Sequence, residues 1–179
     1  MIDELLAYNK EFVKKKMYER YISDKFPNKK IAIITCMDTR LTQLLPNAPG
    51  LKNGDVKMIR NAGAVISSPF GSVMRSLIIA VYDLGVNEIL VIGHHDCGMQ
   101  YLDKGSMINK MKSRHLKDES LELIENCGVD LDTWLKSFDS VEESVSDTVN
   151  LIKTHPLMPK DISVFGLVID PTNGKIEPV

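Results

Sequence analysis

Two short apolar runs, Ile31-Ala-Ile-Ile-Thr35 and Ile89-Leu-Val-Ile-Gly93, each stop on a cluster of reactive side chains. Cys36-Met37-Asp38-Thr39-Arg40 follows the first, and His94-His95-Asp96-Cys97-Gly98 follows the second. Runs of this length without polar alternation read as strands covered on both faces, as in a parallel sheet. In an open parallel sheet, residues just past the carboxyl ends of strands converge on one crevice. Cys36, His94 and Cys97 are therefore delivered to a common point. Two thiols and an imidazole are zinc ligands, and three protein ligands leave the fourth position open, as catalytic sites require.

The rest of the chain alternates helix and strand patterns. Asp3 to Ile22 carries Leu5, Leu6, Phe12, Val13 and Met17 at helical intervals, and the spacing predicts one amphipathic helix before a loop from Asp24 to Lys29. Leu41 to Leu45 is a short helix, Pro46 to Gly54 a loop, and Val56 to Arg60 a second strand leading into Asn61-Ala62-Gly63-Ala64. Ser72 to Leu84 is a helix with Gly85 at its C-cap. Further helices are predicted over Met107 to Asn126 and Val141 to His155, with a short helical piece between them around Leu131 to Phe138. Ile162 to Ile169 is the last long strand, and Asn173-Gly174 signals a tight turn. The class is α/β, a mainly parallel sheet flanked by helices, in one domain over 1–179.

Composition narrows the partners. A net charge of −2 excludes a general nucleic-acid binder. No apolar run is long enough for a transmembrane helix, and acidic residues stand where a secretory signal is basic, which points to the cytoplasm. There, three cysteines fit two ligands plus a bystander, Cys127, better than a disulfide framework.

His94-x-x-Cys97 has the spacing of a zinc turn, whereas His95-x-Cys97 is too tight, so His94 is the ligand and His95 a neighbour turned outward. Gly93 and Gly98 flank the pair as turn glycines would. His115 and His155 fall in the predicted helices, away from the clusters. Asp38, two residues after Cys36, can reach the zone above a metal, and Arg40 can hold it by a bidentate ion pair that keeps it ionised.

The combination of Cys36-x-Asp38-x-Arg40 with Gly93-His94-x-x-Cys97-Gly98, and Arg60-Asn61-Ala62-Gly63 between them, resembles the β-class carbonic anhydrases. The resemblance spans roughly Ile31 to Gly98. It implies one Zn²⁺ per subunit on Cys36, His94 and Cys97, and Asp38 with Arg40 as catalytic dyad. It also places Gly63 and the Gly98 amide near the substrate. The implied reaction is reversible hydration of carbon dioxide to bicarbonate by zinc-bound hydroxide. The implied assembly is a homodimer or higher homo-oligomer in which the N-terminal helix packs on a partner subunit. Some members carry a Trp and a Tyr that build an inhibitory bicarbonate pocket; Ile33 and Ile79 stand at those positions, so no such pocket is expected.

Two other functions compete. Carbonyl sulfide and carbon disulfide are linear like carbon dioxide, and a hydrolase of either could use the same site. A non-catalytic zinc-binding module would leave Asp38 and Arg40 without a role. A thiol redox protein would want its two cysteines in one C-x-x-C turn.

Overall fold

The computed structural model describes all 179 residues. Its elements are α1 (Ile2–Lys14), β1 (Ile31–Cys36), α2 (Leu41–Asn47), β2 (Val56–Asn61), α3 (Ser72–Tyr82), β3 (Glu88–His94), α4 (Lys104–Ser113), α5 (Asp118–Asn126), α6 (Leu131–Trp134), α7 (Val141–Thr154), β4 (Ser163–Ile169) and β5 (Ile176–Pro178). The sheet order is β2-β1-β3-β4-β5. The first four strands are parallel, and β5 closes one edge antiparallel to β4. The α/β class with a mainly parallel sheet therefore holds. No helix is long and apolar enough to cross a membrane.

The central strands explain their own burial. In β1, Ala32 through Cys36 are all buried, and alternate residues feed opposite faces of the sheet. Ala32 and Ile34 join the core on the side of α3 and α7, while Ile33 joins Leu41 and Leu45 of α2 on the other side; Cys36, at the end of the strand, also packs with that second cluster. Thr35, the one polar interior residue of β1, donates its hydroxyl to the Ile92 carbonyl at 2.9 Å and so costs the core nothing unpaired.

Helix α7 is specified at both levels. Ser140 caps it by accepting from the Glu143 amide at 3.3 Å. Val141, Val145, Thr148, Val149 and Ile152 then recur at helical spacing and are buried. This stripe lies directly on β3 and β4. A Cβ on Gly93 would come within 2.7 Å of Val141 Cγ2 and of Val145 Cγ2. Gly93 is thus a packing residue inside β3 and has no part in a turn, which corrects the sequence reading. Gly93→Ala should cost about 1–3 kcal/mol by overpacking, read as a lower urea midpoint; an unchanged midpoint would show that α7 can shift freely.

Several helix boundaries differ from expectation. The first helix stops at Lys14 instead of reaching Ile22. Lys16 adopts a left-handed φ of 53°, and the Met17 amide bonds back to the Phe12 carbonyl at 3.0 Å. That is a Schellman stop built without glycine. The helix expected over Met107 to Asn126 is two helices, broken the same way: His115 has φ 72°, and Leu116 donates to the Met111 carbonyl at 3.1 Å. His115 therefore lies in a turn. His155 lies just past α7, buried, with its Nε2 2.9 Å from the Pro69 carbonyl. At α2 the helix runs through Pro46 to Asn47.

Helix α1 buries no residue within the subunit, and Leu5, Leu6 and Val13 are all more than half exposed. Across the sheet, beside α2, an open apolar groove of about 510 Å³ is lined by Ile31, Ile33, Leu51, Leu90, Leu167 and Ile176 among others.

Candidate metal centre

The sheet order reverses between β1 and β3, since β2 lies beyond one and β4 beyond the other. Such switch points open a crevice at the carboxyl ends of the strands. Cys36 is the last residue of β1 and His94 the last of β3. After His94 the chain turns through Asp96, whose φ of 54° suits Asp better than most residues, and returns Cys97 to the same spot.

Cys36, His94 and Cys97 are all buried, and their ligand atoms lie within 4.8 Å of one another. The two sulfurs are 3.8 Å apart. His94 Nδ1 lies 2.8 Å from the His95 carbonyl. That contact fixes the tautomer in which Nδ1–H donates and Nε2 carries a lone pair, as metal-binding histidines are usually held. His94 Nε2 is buried with no hydrogen-bond partner at all. An orphaned buried nitrogen is costly unless something else binds it. The thiols tell the same story: interaction with Cys97 outweighs burial and lowers the Cys36 thiol, while Cys97 is pushed up by the same contact and by burial. A cation bound between the two sulfurs would let both act as thiolates. The cluster fits a metal ion.

Two residues support the cysteine, one through its backbone and one through its side chain. Gly63, at φ 76°, points its amide at Cys36 Sγ, 3.4 Å away. A Cβ there would also meet Met99 Cγ at 2.9 Å and Phe138 Cε1 at 3.1 Å, so both the angle and the space demand glycine. Arg60 clamps the carbonyls of Cys36 and Asp38, at 3.2 Å from Nε and 2.8 Å from Nη2. Ile33 is buried beneath α2, and Ile79 lies on the exposed side of α3. Gly98 opens the turn after Cys97, with no atom near where a Cβ would stand.

Asp38 and Arg40 meet through local chain geometry. Asp38 Oδ1 accepts from the Arg40 backbone amide at 2.8 Å, an Asx turn that also starts α2. The Arg40 side chain folds back as a fork, Nε to Oδ1 at 3.1 Å and Nη2 to Oδ2 at 2.8 Å. The guanidinium hydrogen bonds hold the Asp38 carboxyl down at about 2. Asp38 Oδ2 is 3.8 Å from His94 Nε2, so the ionised carboxylate borders the cluster. Arg40 also reaches the metal-binding turn, donating from Nη1 to Asp96 Oδ2 and from Nη2 to the Asp96 carbonyl, both at 2.9 Å. His95 points away, half exposed, 3.9 Å from Glu142. Cys127, exposed at the end of α5, lies outside the cluster.

All five residues singled out in the two motifs thus come together. Sequence reasoning missed Asp96, the Arg60 clamp and the sulfur-facing Gly63 amide. Only Asp96 had a readable signal, an acidic residue between two ligands and able to face Arg40.

A mainly parallel α/β sheet with a thiol-imidazole cluster that could hold a metal ion at its switch point defines a protein of one recognisable kind. The family model described as carbonic anhydrase matches residues 31–176. YtiB of Bacillus subtilis (strain 168), provisionally named a carbonic anhydrase, is 53% identical over 177 residues, covering 99% of this chain and 95% of the relative. Beta-carbonic anhydrase 1 of Mycobacterium tuberculosis is 34% identical over 154 residues, 86% of this chain and 83% of the relative. The crystal structure of β-carbonic anhydrase isoform I from Trichomonas vaginalis superposes with a TM-score of 0.90 at 32% identity, covering 99% of this chain and 96% of that one. The chain belongs to the carbonic anhydrase family, in its β class. A carbon disulfide hydrolase of Acidithiobacillus thiooxidans is a more distant relative, 27% identical over 160 residues, 84% of this chain and 77% of the relative.

Proposed function

We propose that this chain is a zinc-dependent carbonic anhydrase that interconverts carbon dioxide and bicarbonate, with Cys36, His94 and Cys97 as zinc ligands and Asp38 and Arg40 as the working dyad. The observation that carries the reading is the buried, partnerless His94 Nε2, set among two thiols and bordered by an ionised Asp38. A zinc ion held there supplies a Lewis acid that makes water nucleophilic near neutral pH.

The protein's own residues supply the rest. Asp38 Oδ1 is spent on the Arg40 amide and Nε, while Oδ2 takes one donor and keeps a lone pair toward the cluster. Because Arg40 keeps it ionised, Asp38 is an acceptor only. It can take a hydrogen bond from the attacking water and fix that water's reactive lone pair toward the carbon. Gly98, whose surroundings are open, offers its amide to a substrate oxygen. The apolar cluster that includes Cys36 and Cys97, with Met99 and Phe138 packed against it, suits an uncharged linear gas.

The assembly we propose is a homodimer or a larger homo-oligomer. Its support is the exposed stripe of α1 and the apolar groove on the sheet, each without a partner inside the subunit.

Stopped-flow assays of carbon dioxide hydration and carbon disulfide hydrolysis on one zinc-loaded preparation test the substrate. Carbon dioxide should be turned over far faster; carbon disulfide turnover exceeding it would move the protein to the sulfur branch.

A further inference from the structure

Arg40 is held by more than its dyad partner. Four of its contacts are donor bonds from the side chain: two go to the Asp38 carboxylate, one to Asp96 Oδ2 and one to the Asp96 carbonyl. Asp96 lies between His94 and Cys97, so the guanidinium bridges the segment that carries Cys36 to the turn that carries the other two cluster residues. We infer that Asp96 is a positioning residue, which pins Arg40 to the metal-binding turn so that Asp38 keeps its free Oδ2 lone pair aimed at the cluster.

An ordinary surface pair would be the rival explanation, because the Asp96 side chain is 68% exposed and exposed ion pairs contribute little. Three observations favour positioning. Asp96 binds through both its carboxylate and its main chain, so the planar fork of Arg40 is fixed in orientation and not merely attracted. Its backbone is held at φ 54°, an angle that Asp and Asn tolerate better than most side chains. Its target is itself bound to Asp38, so a rotation of the guanidinium would carry the carboxylate with it. The inference rests on the proposed role of Asp38 as acceptor.

Asp96→Gly deletes the carboxylate while leaving the backbone free to keep its positive φ. Its zinc content should equal that of the wild type, with kcat for carbon dioxide hydration about tenfold lower, the equivalent of one charge-assisted hydrogen bond, and KM little changed. Asp96→Asn keeps an acceptor for Nη1 and should recover most of the loss. In an Arg40→Ala background, Asp96→Gly should have no further effect. The same non-additivity should appear in the rate of zinc release to EDTA, since one bridge ties the two ligand-bearing segments. Wild-type kcat in Asp96→Gly overturns the inference, as do fully additive effects of Asp96→Gly and Arg40→Ala in either readout. So does an Asp96→Gly protein that loses its zinc together with an Asp96→Asn protein that is no better. Should the zinc-loaded wild type fail to hydrate carbon dioxide, the proposed function falls, and the release cycle alone still decides the role of Asp96.

Discussion

Cys36→Ser and Cys97→Ser should each lose zinc and carbon dioxide hydration together, leaving activity at the level of buffer. A serine hydroxyl is not ionised near neutral pH and is a poor ligand for a borderline-soft cation, so the donor set falls from three to two. No other thiol can replace it: the third cysteine, Cys127, is exposed at the end of α5 and absent from the cluster. The fold should survive, because each sulfur is small and the larger of the two core clusters is built entirely by other residues. A buried hydroxyl without a good partner costs about 1–3 kcal/mol, so thermal denaturation should shift modestly while metal analysis drops to zero. A serine variant with full zinc and full turnover would remove that cysteine from the ligand set.

Asp38→Ala should separate binding from chemistry. The three proposed metal donors remain, so zinc content should match the wild type. The rate should fall by roughly 10²–10⁴, the usual contribution of a well-placed proton-handling group. Asp38→Asn is the sharper variant, because it keeps shape but replaces one acceptor oxygen by a donor. It should be no better than the alanine variant. If geometry alone mattered, the asparagine would rescue, and if either variant kept wild-type turnover, Asp38 would have no part in the reaction.

Much of this was legible in the sequence because the site lies at the ends of two strands whose apolar runs are unmistakable. Once Ile31 to Thr35 and Ile89 to Ile92 are strands of one parallel sheet, their C-terminal residues must share an edge, and the observed cluster follows. What stayed hidden has physical causes. The stops at Lys16 and His115 are left-handed caps made by residues other than glycine, and no compositional signal announces them. Gly93 read as a turn glycine because it borders a motif. Its real reason is the close passage of Val141 and Val145, a tertiary contact invisible in local sequence. The Arg60 clamp and the second grip on Arg40 by Asp96 likewise join residues far apart in the chain.

The most direct test of the central claim is a zinc titration of metal-free protein, followed by stopped-flow carbon dioxide hydration at each step. The rate should climb in proportion to bound zinc and level off at one equivalent per subunit. A rate already present without metal, or a full equivalent bound tightly with no hydration above buffer, would contradict a catalytic zinc centre on Cys36, His94 and Cys97.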